Sequence, residues 1–302
     1  MDGSMTGDPD GTAVGYPDLL NRDRAEVIST LRSGSHLLCC LDFDGTLAPI
    51  VDDPDEATLP PATERVLARL HDEPDVTVAI VSGRSVLDLR SRVELPVTLV
   101  GNHGLERLDR ASADTRGPDR SGSTESVAGA FRPVVHPLAA AAVPRIEACA
   151  ATLETVLAPL PNIRVESKRL TGTVHYRTAP APVAQLCRQL TVDVVERFGD
   201  ERLSLSHGDE IVEFGPAIEW GKGDAVELLR NEHPRGTRIL VCGDDTTDED
   251  AFRALRRSDV GVRVGDRTRS TARYRTDSPR TVREFLDQLA APVLSETVAC
   301  GD

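Results

Sequence analysis

Residues 36–46 read HLLCCLDFDGT: an apolar run that ends on two aspartates, a glycine and a threonine. The run shows no polar alternation, the pattern of a strand buried on both faces of a sheet. Similar runs recur at DVTVAIVS (75–82), PVTLVGNHG (96–104, a strand and a turn), RILVCGDD (238–245) and VGVRVG (260–265). Helical segments fall between them: PPATERVLARLH (60–71), SVLDLRSRV (85–93), GDAVELLRN (223–231), TDEDAFRALR (247–256) and SPRTVREFLDQLA (278–290). Proline at a helix start and Ser-Pro before an amphipathic run are ordinary entry signals. A short helix over 23–33 precedes the first strand. This alternation predicts a Rossmann-like α/β core, a parallel sheet with helices on both faces.

The rhythm breaks after residue 108. DRASADTRGPDRSGSTES (109–126) is polar and rich in Ser and Gly, and reads as a long flexible loop. Beyond it, HPLAAAAVPRIEACAATLETVLAPL (136–160) is helical, interrupted by Pro144. NIRVESK (162–168) and TGTVHYR (171–177) read as antiparallel strands around a turn at 169–171. PVAQLCRQLTVDVVERFG (182–199) is a second helix, and RLSLSHGDEIVEFGP (202–216) a second hairpin turning at 207–209. Helix–hairpin–helix–hairpin is an α+β unit. The expected organisation is therefore a disordered N-terminal tail (1–22), a first core part (23–108), an inserted α+β domain (109–215) and a second core part (216–302). An insertion of this kind places a cleft at its boundary, where ligand sites tend to lie.

Composition excludes some classes. The net charge of −14, 49 acids against 35 bases, argues against sequence-independent nucleic-acid binding and against an anionic membrane surface. No run of apolar residues reaches the length of a membrane span, and the acidic, Gly-rich start lacks the basic and apolar parts of a signal peptide. The six cysteines show no paired or zinc-type spacing, and Cys39, Cys40 and Cys242 sit in apolar runs. A reduced, cytoplasmic setting is expected.

Three strand ends carry chemistry. Asp42 and Asp44 follow the first strand, and the carboxyl edge of an open α/β sheet is where ligands bind. Gly45 permits a tight turn and Thr46 supplies a hydroxyl. Alone, such a DxDG reads equally as a helix cap or acidic turn. Ser82 ends the second strand, where its hydroxyl and the amides around Gly83 suit a phosphate oxygen; a plain N-cap is the competing reading. Asp244 and Asp245 end a third strand, with Asp248, Glu249 and Asp250 beyond. Like charges about 4 Å apart repel by roughly 4 kcal/mol at an effective dielectric near 20. A hard divalent cation relieves that repulsion, and oxygen-only donors point to Mg2+. A solvated acidic helix start explains 248–250 equally well, but not the strand-end pair.

The chain holds only two lysines, Lys168 and Lys222, among 33 arginines. Lys222, in EWGKGD (219–224), supplies a single cation just before a helix. In VESKRLTGTVHYR, alternation puts Glu166 and Lys168 on one strand face, and His175 and Arg177 on one face of its partner. Cross-strand ion pairing on an exposed face is the plain reading of that arrangement.

DFDGT, VSGR, KG and GDDTTDE, in that order, resemble the four motifs of the haloacid-dehalogenase phosphatase superfamily. LDFDGTLAPIVDDPDEA, GNHGLER, VESKRLTGTVHYR, WGKGDAV, GDDTTDEDAF and ARYRTDSPRTVREFL resemble, more finely, the trehalose-6-phosphate phosphatase family, over about residues 36–290. The resemblance implies a core of the haloacid-dehalogenase type with a cap domain that selects the sugar. It implies hydrolysis of trehalose 6-phosphate to trehalose and phosphate through an aspartyl-phosphate, with Mg2+ as cofactor. Asp42 would be the nucleophile and Asp44 the acid and base. Asp42, the Asp44 carbonyl and Asp244 would hold the metal, with Asp245 and Asp248 orienting them. Thr46, Ser82 and Lys222 would bind the phosphoryl oxygens. Arg84, Asn102, His103, Glu166, Lys168, His175 and Glu213 would contact the substrate. Functional coupling to trehalose-6-phosphate synthase is implied as well. Two other readings stand beside this one: a phosphatase for sucrose phosphate or a glycosyl-phosphoglycerate, and a non-catalytic sugar-phosphate sensor.

Overall fold

The structure is a computed structural model that describes residues 16–51, 53–109, 133–199, 201–208, 210–266 and 268–291. The first fifteen positions of the expected tail and residues 110–126 of the expected loop lie outside the described residues.

In chain order, β1 (Asp18–Leu19) leads into α1 (Leu20–Arg32), which begins three residues before the expected start because Leu20, Val27 and Leu31 form one buried face. Next come β2 (Leu37–Leu41), α2 (Pro61–Asp72), β3 (Val76–Val81) and α3 (Val86–Arg92). Ser85 caps α3, its side chain accepting from the Asp88 amide. β4 (Thr98–Gly101) turns through a single helical turn, Asn102–Gly104, into β5 (Glu106–Leu108). The two pair antiparallel, and β6 (Val134–Val135) extends the ladder.

α4 (Pro137–Leu157) runs straight through Pro144 instead of breaking there. The missing amide costs one backbone bond. Burial of Ala139, Ala142, Ile146, Cys149, Leu153 and Leu157 along one face offsets it. β7 (Arg164–Ser167), β8 (Gly172–His175), α5 (Ala181–Gly199), β9 (Leu203–Gly208) and β10 (Ile211–Pro216) follow. Last come α6 (Lys222–Glu232), β11 (Arg238–Gly243), α7 (Asp248–Arg253), β12 (Val260–Val264), β13 (Tyr274–Thr276) and α8 (Pro279–Leu289). Ser278 and Thr281 form a full capping box at α8.

The chain forms two compact units. One joins the residues up to Ile80 with those from Val226 onward; the other is Val81–Ala225. In the first, the strands run in the order β1-β13-β12-β11-β2-β3, every pair parallel. β2 is buried at every position, which is why its sequence does not alternate. In the second, β7-β8-β10-β9 is a fully antiparallel sheet. Val174, Val212 and Phe214 on one face of this sheet pack with Ile146, Cys149, Leu153 and Leu157 of α4 and Cys187 and Val195 of α5. Its other face carries polar side chains.

Candidate active site

The parallel sheet builds the first cluster. β2 and β11 pair with Leu41 opposite Cys242, so the residues just past them emerge side by side. The Asp42 amide donates to the Cys242 carbonyl at 3.0 Å. The chain then turns sharply, the Leu47 and Ala48 amides both donating to the Phe43 carbonyl at 3.0 and 2.8 Å. Gly45 sits in this turn at φ +72°, and a Cβ there would stand 2.1 Å from Asp244 Oδ2. Only glycine lets the two strand ends approach so closely. Thr46, fully buried, donates to Asp244 Oδ1 at 3.3 Å.

Asp248 opens α7, is 1% exposed, and accepts the Asp245 amide at 3.0 Å. Carboxylate oxygens of Asp42, Asp244 and Asp248 lie within 4.8 Å of one another. Asp248 thus joins the cluster itself, whereas the sequence placed it behind. The Asp245 side chain is exposed and accepts its neighbour's amide, Thr246 N, at 2.6 Å. Asp44 is half-buried, and its carboxylate is not part of the triad. The three donors are all hard oxygens, two of the three residues are buried, and one divalent cation of the Mg2+ class could be shared among them. The donor set fits the ion that the motifs imply.

Glu249 was not singled out by the sequence, yet it braces this loop. Its carboxylate accepts from Ser270 Oγ at 2.6 Å, Thr271 N at 2.8 Å, Thr271 Oγ1 at 2.7 Å and Arg263 at 3.2 Å. Burial pushes its carboxyl up, but Ser270, Thr271 and Arg263 together hold it below the usual range. Arg263 also donates to the Asp245 carbonyl at 3.1 Å. An acidic residue in a first helical turn reads as a dipole partner, so nothing local marked Glu249 as a tether to residues 263–271.

The second unit carries the remaining expected residues. Ser82 is buried; its hydroxyl accepts the Arg84 amide at 3.2 Å and its carbonyl accepts the His103 amide at 3.0 Å. The cap of α3 is Ser85, so the N-cap reading of Ser82 does not hold. Arg84 pairs with Asp88 at 2.8 Å. Burial raises the Asp88 carboxyl, and Arg92 and Arg84 outweigh it and hold it low. Lys222 is the first residue of α6 and is 3% exposed, uncommon for a lysine.

On the polar face of the antiparallel sheet, Glu166, Thr173 and Glu213 stand in one register row across β7, β8 and β10. Glu166 meets His175 at 2.9 Å. Lys168 lies just past the end of β7, where its amide donates to the Thr171 carbonyl at 2.8 Å ahead of a turn that places Arg169 at φ +69°. Its ammonium reaches Glu213 Oε1 at 3.5 Å, and His103 Nε2 approaches Glu213 Oε2 at 3.8 Å. Burial pushes Glu213 up, but His103 and Lys168 more than reverse that and bring its carboxyl to about 2. Burial likewise raises Glu166, and His175, Lys168 and Arg164 overcome it. Arg177 pairs with Glu210 at 3.3 Å on an exposed edge. Asn102 is fully buried and faces protein on every polar atom.

Trp220 donates to the Gly104 carbonyl at 2.9 Å and packs against His136 with the rings tilted at 49° and 4.9 Å apart, beside Leu105, Ala139 and Leu170. Among the described residues, Cys39, Cys40, Cys149, Cys187 and Cys242 are free and buried. No helix among them is long and apolar enough to cross a membrane.

The trehalose-phosphatase family matches residues 40–282. A trehalose-phosphate phosphatase of Mycobacterium leprae (strain TN) is 35% identical over 274 residues, covering 85% of this chain and 58% of that protein. The chain thus spans about three fifths of the length of such a relative. Among solved structures, the C-terminal domain of Candida albicans trehalose-6-phosphate phosphatase superposes with a TM-score of 0.72 at 24% identity, covering 92% of this chain and 98% of that one. A haloacid dehalogenase-like hydrolase from Bacteroides thetaiotaomicron gives 0.55 at 14% identity, over 84% and 99% of the two chains. Both share the fold.

Proposed function

The chain belongs to the trehalose-phosphatase family, and we propose that it hydrolyses trehalose 6-phosphate to trehalose and phosphate with Mg2+ as cofactor. The observation that carries this reading is the meeting of Asp42, Asp244 and Asp248 within 4.8 Å at the carboxyl ends of paired parallel strands. These three carboxylates, with the Asp44 carbonyl, would hold the ion. When bound, Mg2+ neutralises charge that builds on the phosphoryl oxygens.

The chain's own residues divide the remaining work. Asp42 Oδ attacks phosphorus, and the bond from phosphorus to the sugar oxygen breaks. Asp44 gives its proton to that oxygen, so trehalose leaves neutral. Asp44 then takes a proton from a water that attacks the aspartyl-phosphate; phosphate leaves and Asp42 returns. Two carboxylates are needed because nucleophile and proton carrier must be separate groups. Thr46, Ser82 and Lys222 bind phosphoryl oxygens, Lys222 as a compact cation held in place by its burial.

The inserted segment 109–215 acts as the cap that selects the sugar. Glu166, Lys168 and Glu213 offer acceptors and donors to sugar hydroxyls, with His103 and His175 beside them and Arg84 as a further contact. Asp245 supports the metal loop. The product of a trehalose-6-phosphate synthase is the substrate, so the two activities are coupled in sequence. The setting is the reducing cytoplasm, in keeping with the free buried cysteines.

A panel of trehalose 6-phosphate, sucrose 6-phosphate and glucosyl-phosphoglycerate, with Mg2+ and with chelator, tests the reading through phosphate release. Trehalose 6-phosphate should give the highest kcat/KM, and chelator should remove it. A higher value for another sugar phosphate, or full activity in chelator, overturns the assignment.

A further inference from the structure

We propose that Asn102 and Thr171 are positioning residues that fix Lys168, acting on the turn that carries it and not on the substrate. The proposal rests on the sugar-phosphate reading above. Asn102 has no exposed surface. Its Nδ2 donates to Glu106 Oε1 at 2.6 Å and to the Lys168 carbonyl at 3.4 Å, and its Oδ1 accepts from Thr171 Oγ1 at 2.6 Å. Both amide hydrogens and one carbonyl lone pair are thereby engaged inside the protein. Glu106 is itself buried and accepts the Val86 amide at 2.9 Å, so the amide is braced from behind by the first residue of α3.

The backbone carries the cost of this arrangement. Asn102 and His103 hold φ values of +48° and +56°, a left-handed pair without glycine. Such residues are uncommon outside glycine and persist where their surroundings require them. The requirement here is the aim of the Asn102 side chain at the 168–171 turn.

That turn is fixed at several points. The Lys168 amide donates to the Thr171 carbonyl at 2.8 Å, and the Leu170 amide to the Lys168 carbonyl at 2.9 Å. Leu170 is buried with Leu105 and Ala139. Asn102 holds both ends, through the Lys168 carbonyl and the Thr171 hydroxyl. Lys168 is thus anchored at its backbone while its ammonium reaches Glu213 at 3.5 Å. A long lysine side chain places its charge reproducibly only if its base is fixed. Releasing the turn should weaken the grip on the sugar and spare the phosphoryl chemistry.

Thr171→Val removes the hydroxyl alone and leaves Asn102 Oδ1 buried without that donor. It should raise KM for trehalose 6-phosphate about tenfold while kcat stays within about twofold. Hydrolysis of p-nitrophenyl phosphate, which has no trehalose to hold, should be unchanged. Thr171→Ser keeps the hydroxyl and should behave as wild type. Amide exchange in the ligand-free protein should quicken at Lys168 in Thr171→Val and not in Thr171→Ser. Asn102→Ala, if it folds, should follow Thr171→Val. Quicker exchange with an unchanged KM overturns the proposal, as does an equal loss on both substrates. A wild type that prefers p-nitrophenyl phosphate removes the sugar reading itself and the positioning role with it, a result distinct from either of those.

Discussion

The carboxylates at the ends of the parallel strands and those on the polar face of the antiparallel sheet are held in contrasting ways. Asp42, Asp244 and Asp248 converge on one point, and their partners include the Thr46 hydroxyl and the Asp245 amide. Glu166 and Glu213 stand apart in a register row, and each faces a base: His175 for one, Lys168 and His103 for the other. Convergent acids concentrate negative field and suit a divalent cation. Acids balanced by bases create little net field and present a mixed set of donors and acceptors, which suits a neutral polyol. The same residue type therefore produces two different local fields, set by what stands beside it.

The contrast can be broken most severely at the convergent site. Gly45→Ala forces a Cβ against Asp244 in a left-handed turn and should abolish Mg2+-dependent phosphate release. Asp244→Asn should weaken Mg2+ at least about a hundredfold. A titration of Tm against Mg2+ measures this apart from activity, since a ligand of the folded state raises Tm by mass action. An unchanged Tm response would mean that the triad is no cation site. Lys222→Arg comes next, with an expected loss in kcat of about a hundredfold; near-normal kcat would remove the argument for a compact charge.

The balanced site should respond more gently. Glu213→Gln should raise KM for the sugar phosphate about tenfold with kcat little changed. It also has a pH signature. The folded carboxyl titrates at about 2 against 4.5 in the unfolded chain, so its contribution to stability is complete above 4.5 and disappears as pH falls toward 2. The Tm gap between wild type and Glu213→Gln should be open at neutral pH and close over that range. A gap independent of pH would show that the pairing with Lys168 and His103 contributes nothing.

Buried strands and their terminal acids were legible because an unalternating apolar run has few other meanings: β2, β3 and β11 fall within a residue or two of their expected spans. Three features were not legible. β1, β5 and β13 are two or three residues long, too short to carry a pattern of their own, and their pairing comes from neighbouring strands. Pro144 reads locally as a break, and only the buried face of α4 overrides it. Asp248 and Glu249 looked alike as acids in a first helical turn. Burial separates them, one into the triad and the other into a brace on Ser270 and Thr271. Those partners come from other elements, so local sequence cannot announce them.

The proposed mechanism turns on a covalent bond between Asp42 and phosphorus. Rapid acid quench of the enzyme during turnover of trehalose 6-phosphate, followed by peptide mapping, tests it directly. Wild type should carry a phosphoryl group on the Asp42 peptide and Asp42→Asn none, with phosphate release in that variant lower by at least about 10,000-fold. Phosphate release at the wild-type rate by Asp42→Asn would contradict it.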